Sequence, residues 1–193
     1  MRRLKLQAHI SIDGFIAGPH GEMELAPNNW DAEVRRYAID NLAGVDCVLL
    51  ALARNVEMSF IPYWAGVAEN PADPDHEFGK RVSGIAKIVF SRRSDQPAWP
   101  NAKTINADIV ETVTQLKQGP GNDIMVYGGA RFAATLIRAG LVDEYHLLVN
   151  PVAMGSGLPI FNELENKQIM TLTAAKPFGC GVILLHYQPR SQT

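Results

Sequence analysis

The stretch that most constrains this chain is Asp123 to Pro151, DIMVYGGARFAATLIRAGLVDEYHLLVNP. Ile124-Met125-Val126-Tyr127 is a short apolar run between Asp123 and a Gly pair, with the length and Val/Ile/Tyr content of a buried strand. Gly128-Gly129 predicts a tight turn, and Ala130 to Ala139 a helix in which Phe132/Leu136 and Ala133/Ile137 repeat four apart on one face. Gly140 stops that helix, and Tyr145 to Val149 reads as the next strand. A strand–GG–helix–strand unit of this kind needs a parallel sheet to receive it. Its first turn sets bare backbone N–H groups at a helix N-terminus, which suits an anion as well as a plain tight turn. The pair matches neither GxGxxG nor a Walker loop, so alone it leaves both readings open.

The 193 residues, 47% hydrophobic and 20% charged, fit one globular domain over 1–193 with a sizeable core. A net charge of −2, without a basic stripe, argues against a nucleic-acid partner. The start, MRRLKLQAHI, is too short and interrupted for a signal peptide, and no stretch reaches membrane-spanning length. A cytoplasmic protein with no membrane partner is expected. Cys47 and Cys180 lie far apart beside apolar runs and read as small core residues. The five His are scattered; His9, His146 and His186 fall within predicted strands and read as structural, and no metal is expected.

Along the chain, Leu4 to Ser11 alternates as a half-buried strand. An irregular path from Ser11 to Asn29 follows, opened by the Asp13-Gly14 turn. Asp31 to Leu42 predicts a helix capped near Asn28 or Asn29, with Val34, Tyr37, Ala38 and Leu42 as its stripe. Val45 to Ala51 reads as a strand buried on both faces, and Ala86 to Ser91 and Thr104-Ile105 as shorter ones. Residues 69–75 read as a solvated loop and His76 to Ser83 as a short helix. Asp108 to Gln118 predicts a helix whose Asp108 and Glu111 resemble a capping box. Ala153 to Phe161 reads as a Gly-rich loop, and Ile169 to Lys176 with Val182 to Gln188 as a closing hairpin. The sum is an α/β fold: a mainly parallel central sheet flanked by helices, with an antiparallel C-terminal hairpin.

Ligands of open α/β sheets bind beyond the strands' carboxyl ends. There the pattern places Ser11 to Gly14, Ala53-Arg54, Ser91-Arg92-Arg93 and Gly128-Gly129. A diphosphate at the Gly pair would have Arg54 or Arg92 within reach, and a further monophosphate at Ser91 and Arg92 would mark NADP over NAD. Taken singly, each Arg also fits an ordinary solvated charge.

These motifs, in this order, resemble the dihydrofolate reductase superfamily, and within it the reductase (C-terminal) domain of the bifunctional riboflavin-biosynthesis deaminase–reductase. The matching stretches are SIDGFIAG from Ser11, VDCVLL followed by Ala53-Arg54, FIPYW at Phe60 to Trp64, IVFSRR at Ile88 to Arg93, and MVYGGARFAATLIRAGLVDEYHLLVNPVAMGSGLPIF at Met125 to Phe161. The resemblance implies a dihydrofolate-reductase-like fold and NADPH binding. It places Ile16 in the loop over the nicotinamide, Arg54 on phosphate, and Ser91 and Arg92 at the adenosine 2′-phosphate. Tyr127, Gly128, Gly129, Ala130, Arg131 and Phe132 match the diphosphate turn and the helix after it. Two positions depart from the family: Ala53 stands where Gly is usual, and Val56 where a hydroxyl residue is common. The resemblance also suggests a homodimer through Tyr145 to Val152 and the hairpin strands.

For substrate, Asp31, Glu33 and Asp40 on the first helix do not align with the pterin-binding carboxylate of folate reductases. Asp13 either contacts substrate or shapes the turn before Gly14, and Trp30 either stacks on a flat heterocycle or packs. No residue pattern identifies a catalytic acid. The expected function is NADPH-dependent reduction of a pyrimidine- or pterin-like heterocycle, of the 5-amino-6-(5-phosphoribosylamino)uracil reductase type. The alternative, favoured by Ala53 and Val56, is a nucleotide-binding or regulatory protein of the same fold; an oligomeric interaction module ranks third.

Overall fold

The computed structural model describes residues 1–22, 25, 29–51, 60–92, 99–127, 129–162 and 164–190. An eight-stranded sheet carries the fold. Its strands are β1 (Leu4–Ile10), β3 (Val45–Ala51), β4 (Ala86–Phe90), β5 (Ala102–Ile105), β6 (Asp123–Val126), β7 (Glu144–Val149), β9 (Met170–Pro177) and β10 (Ile183–Pro189). They lie in the order β5-β4-β3-β6-β1-β7-β10-β9. The first six are mutually parallel, and β10 joins β7 and β9 antiparallel. This is the expected α/β architecture with an antiparallel hairpin edge.

Helices cover both faces, as a parallel sheet requires. On one face lie α4 (Ile109–Gln118) and α5 (Ala130–Arg138). The α5 stripe Phe132, Ala133, Leu136 and Ile137 packs with Leu4, Leu6, Leu49 and Val126. Leu136 is fully buried there, and its truncation to Ala would cost about 2–5 kcal/mol. On the other face lie α1 (Ala32–Asn41), α2 (Phe60–Glu69) and α3 (His76–Gly84), whose Ala38, Ile39, Ile61, Phe78 and Val82 meet Val48, Leu50, Val89 and Met125.

Local chemistry explains most element ends. The Asp108 carboxylate accepts from Glu111 N–H at 2.8 Å and starts α4 as expected. At α1 the cap is Asp31, not Asn28 or Asn29: its side chain accepts from Glu33 N–H and Val34 N–H. Asp31 offers a charged acceptor at the helix's positive end, and Asn29 is engaged elsewhere, with Asn150. The α2 helix had no sequence forecast, because Pro62 and three aromatics obscure its period. Within the stretches read as irregular, β2 (Phe15–Ala17) pairs antiparallel with β8 (Leu158–Pro159).

The α1 face also carries a buried polar belt toward the amino ends of β1 and β7. Arg3 reaches Asp123 and Glu144, each at 2.7 Å, and Lys5 reaches Asp123 at 2.9 Å. Glu144 Oε2 stands 3.3 Å from His146 Nε2 and 3.6 Å from His186 Nε2, and Tyr37 OH bonds His146 Nδ1. The hydrogen bond from His146 is the main reason the Glu144 carboxyl sits below the usual range. These histidines were expected to stand apart, yet β7–β10 pairing gathers Glu144, His146 and His186 so that one ligand atom of each lies within 4.8 Å of the others. The imidazoles stack with their planes 18° apart. In-plane lone pairs of near-parallel rings do not converge on one point, and Arg3 occupies the other Glu144 oxygen. The arrangement is a hydrogen-bonded charge network.

Candidate functional site

Because β4, β3, β6, β1 and β7 are parallel neighbours, their carboxyl ends form one edge. Ser11 to Gly14, Ser91-Arg92, Tyr127 with Gly129, and Asn150 all leave from it. The chain reverses direction across the sheet here. From β5 it returns to place β6 between β3 and β1, then steps over β1 to β7. A crevice at such a switch point is where α/β sheets take ligands.

The turn after β1 is built by Ser11 and Asp13. Ser11 Oγ donates to Asp13 Oδ1 at 2.6 Å and accepts from Phe15 N–H at 2.9 Å. The Asp13 carboxylate also accepts from Met154 N–H and from Gly155 N–H, the latter at 2.7 Å. It therefore staples the β1 turn to the segment before β8. The Ser11 hydroxyl leads these donors in holding Asp13 ionised, lowered to about 2. A carboxyl so placed cannot give up a proton at neutral pH, so Asp13 is an acceptor and not an acid. Gly14 makes the turn at φ 85°, a backbone region that costs other residues strain. Ile16 is buried within β2 against the core.

After β6, Gly129 is the N-cap of α5 (φ −62°, ψ 164°) and makes no side-chain cap bond. A Cβ built there would meet nothing within 4 Å. Among the described residues no side chain caps the start of α5, whose N–H groups carry the helix's positive end. Ala130 is half-buried beside this opening and Arg131 is exposed. Phe132 instead faces inward, its ring 5.3 Å from Phe90, and anchors the helix. The Tyr127 ring turns to the other face, toward Phe60 at 5.6 Å.

After β4, Ser91 N–H continues the pairing with β5 by donating to Ile105 O at 2.9 Å, and Arg92 is exposed. Two strand spacings, about 10 Å, separate the ends of β4 and β6. Ala53, Arg54, Val56 and Gly128 lie outside the described residues.

Trp30 packs edge-on against Phe78 at 5.2 Å, lies 6.1 Å from His9, and donates Nε1–H to Asp75 at 3.0 Å. The protein itself thus holds both its ring and its N–H. Two further residues stand at this edge: Asn150, given no role in the sequence, and His9, read there as a structural histidine. Asn150 is fully buried, donates to Ile10 O and Leu148 O, and accepts from Asn29 Nδ2 at 2.8 Å. His9 is pushed down by burial to about 4, against the opposing effect of Asn150. Asn150 lies within the matched stretch Met125 to Phe161 without an assigned role, and strand pairing brings both residues to the edge.

A family model described as the RibD C-terminal domain matches residues 2–184. The chain belongs to this family. YyaP of Bacillus subtilis, a protein described as uncharacterized, is 34% identical over 188 residues, 96% of this chain and 94% of YyaP. Among solved structures, RibD of Acinetobacter baumannii superposes with a TM-score of 0.69 at 18% identity, over 98% of this chain and 58% of that one. A dihydrofolate reductase from Enterococcus faecalis, complexed with NADP(H) and RAB-propyl, matches with a TM-score of 0.58 at 13% identity, over 98% of this chain and 97% of that one. The fold is therefore that of RibD reductase domains and dihydrofolate reductases, and the family is that of riboflavin-biosynthesis reductase-like domains. No helix among the described residues is long and apolar enough to cross a membrane.

Proposed function

We propose that the protein is an NADPH-dependent reductase of a pyrimidine- or pterin-like heterocycle, of the 5-amino-6-(5-phosphoribosylamino)uracil reductase type. The observation that carries this reading is the open start of α5 at Gly129, at the switch-point edge of a RibD-family sheet. Backbone N–H groups there suit a diphosphate, because no side chain among the described residues caps them. Arg92 and Ser91, about 10 Å away along the edge, suit an additional monophosphate and hence NADPH over NADH. Bound NADPH would supply a hydride for a C=N or C=O carbon. The chain's own part is orientation: Asp13 fixes the β1 turn, and Ile16 lends a buried apolar wall.

The same proposal includes a homodimer. β9 is an edge strand with Leu172 half-exposed, and Ile183 of β10 is exposed beside it. Size-exclusion chromatography with light scattering tests this, and a monomer at micromolar concentration refutes it.

Thermal unfolding with NADPH and NADH tests the cofactor. Ligand at a hundred times its dissociation constant stabilises by about 2.7 kcal/mol, about 5–10 °C for a chain this long. A shift with NADPH alone, lost in Arg92→Ala, supports the assignment. No shift with either cofactor refutes the reductase reading.

A further inference from the structure

Three buried side-chain polar atoms among the described residues have no hydrogen-bond partner: His9 Nδ1, Tyr127 OH and His186 Nε2. His186 Nε2 at least faces a carboxylate, 3.6 Å from Glu144. The other two lie on one face of the sheet, near the same edge. β1 and β6 are neighbours in parallel, with Lys5 opposite Met125 and Leu6 opposite Val126. Side chains alternate along a strand, so Lys5, Gln7 and His9 share a face with Met125 and Tyr127. Tyr127 lies one residue past the last paired position of β6, and His9 one residue before the end of β1. Both stand at the carboxyl edge on the α1 face, opposite the face on which α5 packs.

Aromatic rings surround them. His9 faces Trp30, and Tyr127 faces Phe60 at 5.6 Å and Phe78 at 6.4 Å. Trp30 and Phe78 are themselves in edge contact. A buried polar atom without a partner carries a desolvation cost that native proteins seldom leave unmatched. Two such atoms on one face of the sheet, each against aromatic rings at the edge where this fold takes ligands, call for a partner that brings its own hydrogen bonds.

We propose that His9 Nδ1 and Tyr127 OH are positioned to read the N–H/C=O edge of a flat, uncharged heterocycle. The identity of that ring as a reductase substrate rests on the function proposed above. The pair's chemistry selects the edge. Burial raises the Tyr127 phenol far above its usual range, so it stays protonated and donates to a ring carbonyl. Burial keeps the His9 imidazole neutral, so with its proton on Nε2 it accepts at Nδ1 from an adjacent ring N–H. Neither group supplies charge. The nearest cation on the same strand face, Lys5, is engaged with Asp123. An anionic group is therefore a poor fit, whereas a lactam or ureido edge, as in uracil and pterin rings, satisfies both atoms.

The test uses Tyr127→Phe and His9→Leu in the full chain, with 5,6-diaminouracil as probe and 4,5-diaminopyrimidine, which lacks ring carbonyls, as control. Binding is followed by tryptophan fluorescence and by thermal shift, with and without NADPH. The wild type should bind the uracil in preference to the control. Each variant should lose about tenfold or more in uracil affinity, as expected for one buried hydrogen bond. Tyr127→Phe should leave the melting temperature of the ligand-free protein unchanged or raised, because it removes an unpaired hydroxyl. A lowered melting temperature would mean that an internal water or group already satisfies the hydroxyl, and would overturn the proposal. So would equal uracil binding by wild type and variants, or none by the wild type. Loss of NADPH response alone, with the uracil discrimination intact, overturns the reductase reading and leaves the pair's assignment standing.

Discussion

Asn150 offers the most direct test of how the edge is held. It is fully buried where β1 and β7 end side by side. Its amide donates to Ile10 O at 3.0 Å and to Leu148 O at 2.9 Å, and its oxygen accepts from Asn29 at 2.8 Å. Asn150→Ala deletes all three bonds and leaves a small void. Ile10 O keeps a second donor, the Asn150 backbone N–H at 2.7 Å, which limits the loss. At about 0.5–1.5 kcal/mol net per bond, the change should cost about 2–4 kcal/mol. For a chain of this length that lowers the melting temperature by about 5–15 °C. Asn150→Asp keeps the shape but sets a carboxylate against two carbonyl oxygens in a buried place. Burial and those oxygens raise its folded pKa above the unfolded value, so its stability is fullest below the unfolded carboxyl pKa and is lost as pH rises. Urea titrations at pH 4 and pH 7 should therefore show Asn150→Asp closer to wild type in acid than at neutrality. An Asn150→Ala variant within about 0.5 kcal/mol of wild type would refute this account, since that is the ordinary range for a surface change.

Three further outcomes follow from individual sites. Gly129→Ser adds a preferred capping hydroxyl where there is open space, so the ligand-free protein should gain a few tenths of a kcal/mol. The same hydroxyl fills the space over the α5 N–H groups, so NADPH affinity should fall; unchanged affinity in a fluorescence titration would remove the diphosphate from this turn. At Gly157 a Cβ would sit 2.4 Å from the Ala17 backbone oxygen. Gly157→Ala should part β2 from β8 and speed hydrogen exchange at 15–17, and wild-type exchange there would contradict the packing. Finally, His9 is lowered by burial from 6.5 to about 4, so the fold resists its protonation. Its contribution is whole above pH 6.5 and is lost as pH falls through 4, by at most about 3 kcal/mol. His9→Leu should flatten that acid limb in urea midpoints, and an identical limb would show that His9 carries none of it.

Much of this fold could be read directly because its sheet is parallel. Buried parallel strands are continuous apolar runs, and β3 and β6 announced themselves that way through VDCVLLA and IMV. The α5 helix was equally plain from its four-residue repeat and its Gly stop. What stayed hidden depends on tertiary pairing. The β2–β8 ribbon is three residues against two, too short to show alternation. Glu144, His146 and His186 spread over two strands with some 40 residues between the histidines, and only antiparallel register stacks them. Asn150 sits inside a matched stretch with no role attached and His9 reads as a structural histidine; their importance comes from burial at a strand end.

Residues 127–132 show the same limit at the site itself. As a sequence they form one match to a diphosphate turn. In three dimensions the strand's alternation and the helix's periodicity divide them. The Tyr127 ring goes to the α1 face and its aromatic wall, Gly129 opens the helix at the edge, and Phe132 goes into the core under α5. That division suits a reductase. A hydride donor and its acceptor must meet at van der Waals distance, so cofactor and heterocycle need supports that are adjacent but face different ways. The end of β6 provides both supports from residues two apart, because Tyr127 directs a side chain by the strand's alternation whereas Gly129 offers backbone N–H groups at a helix start.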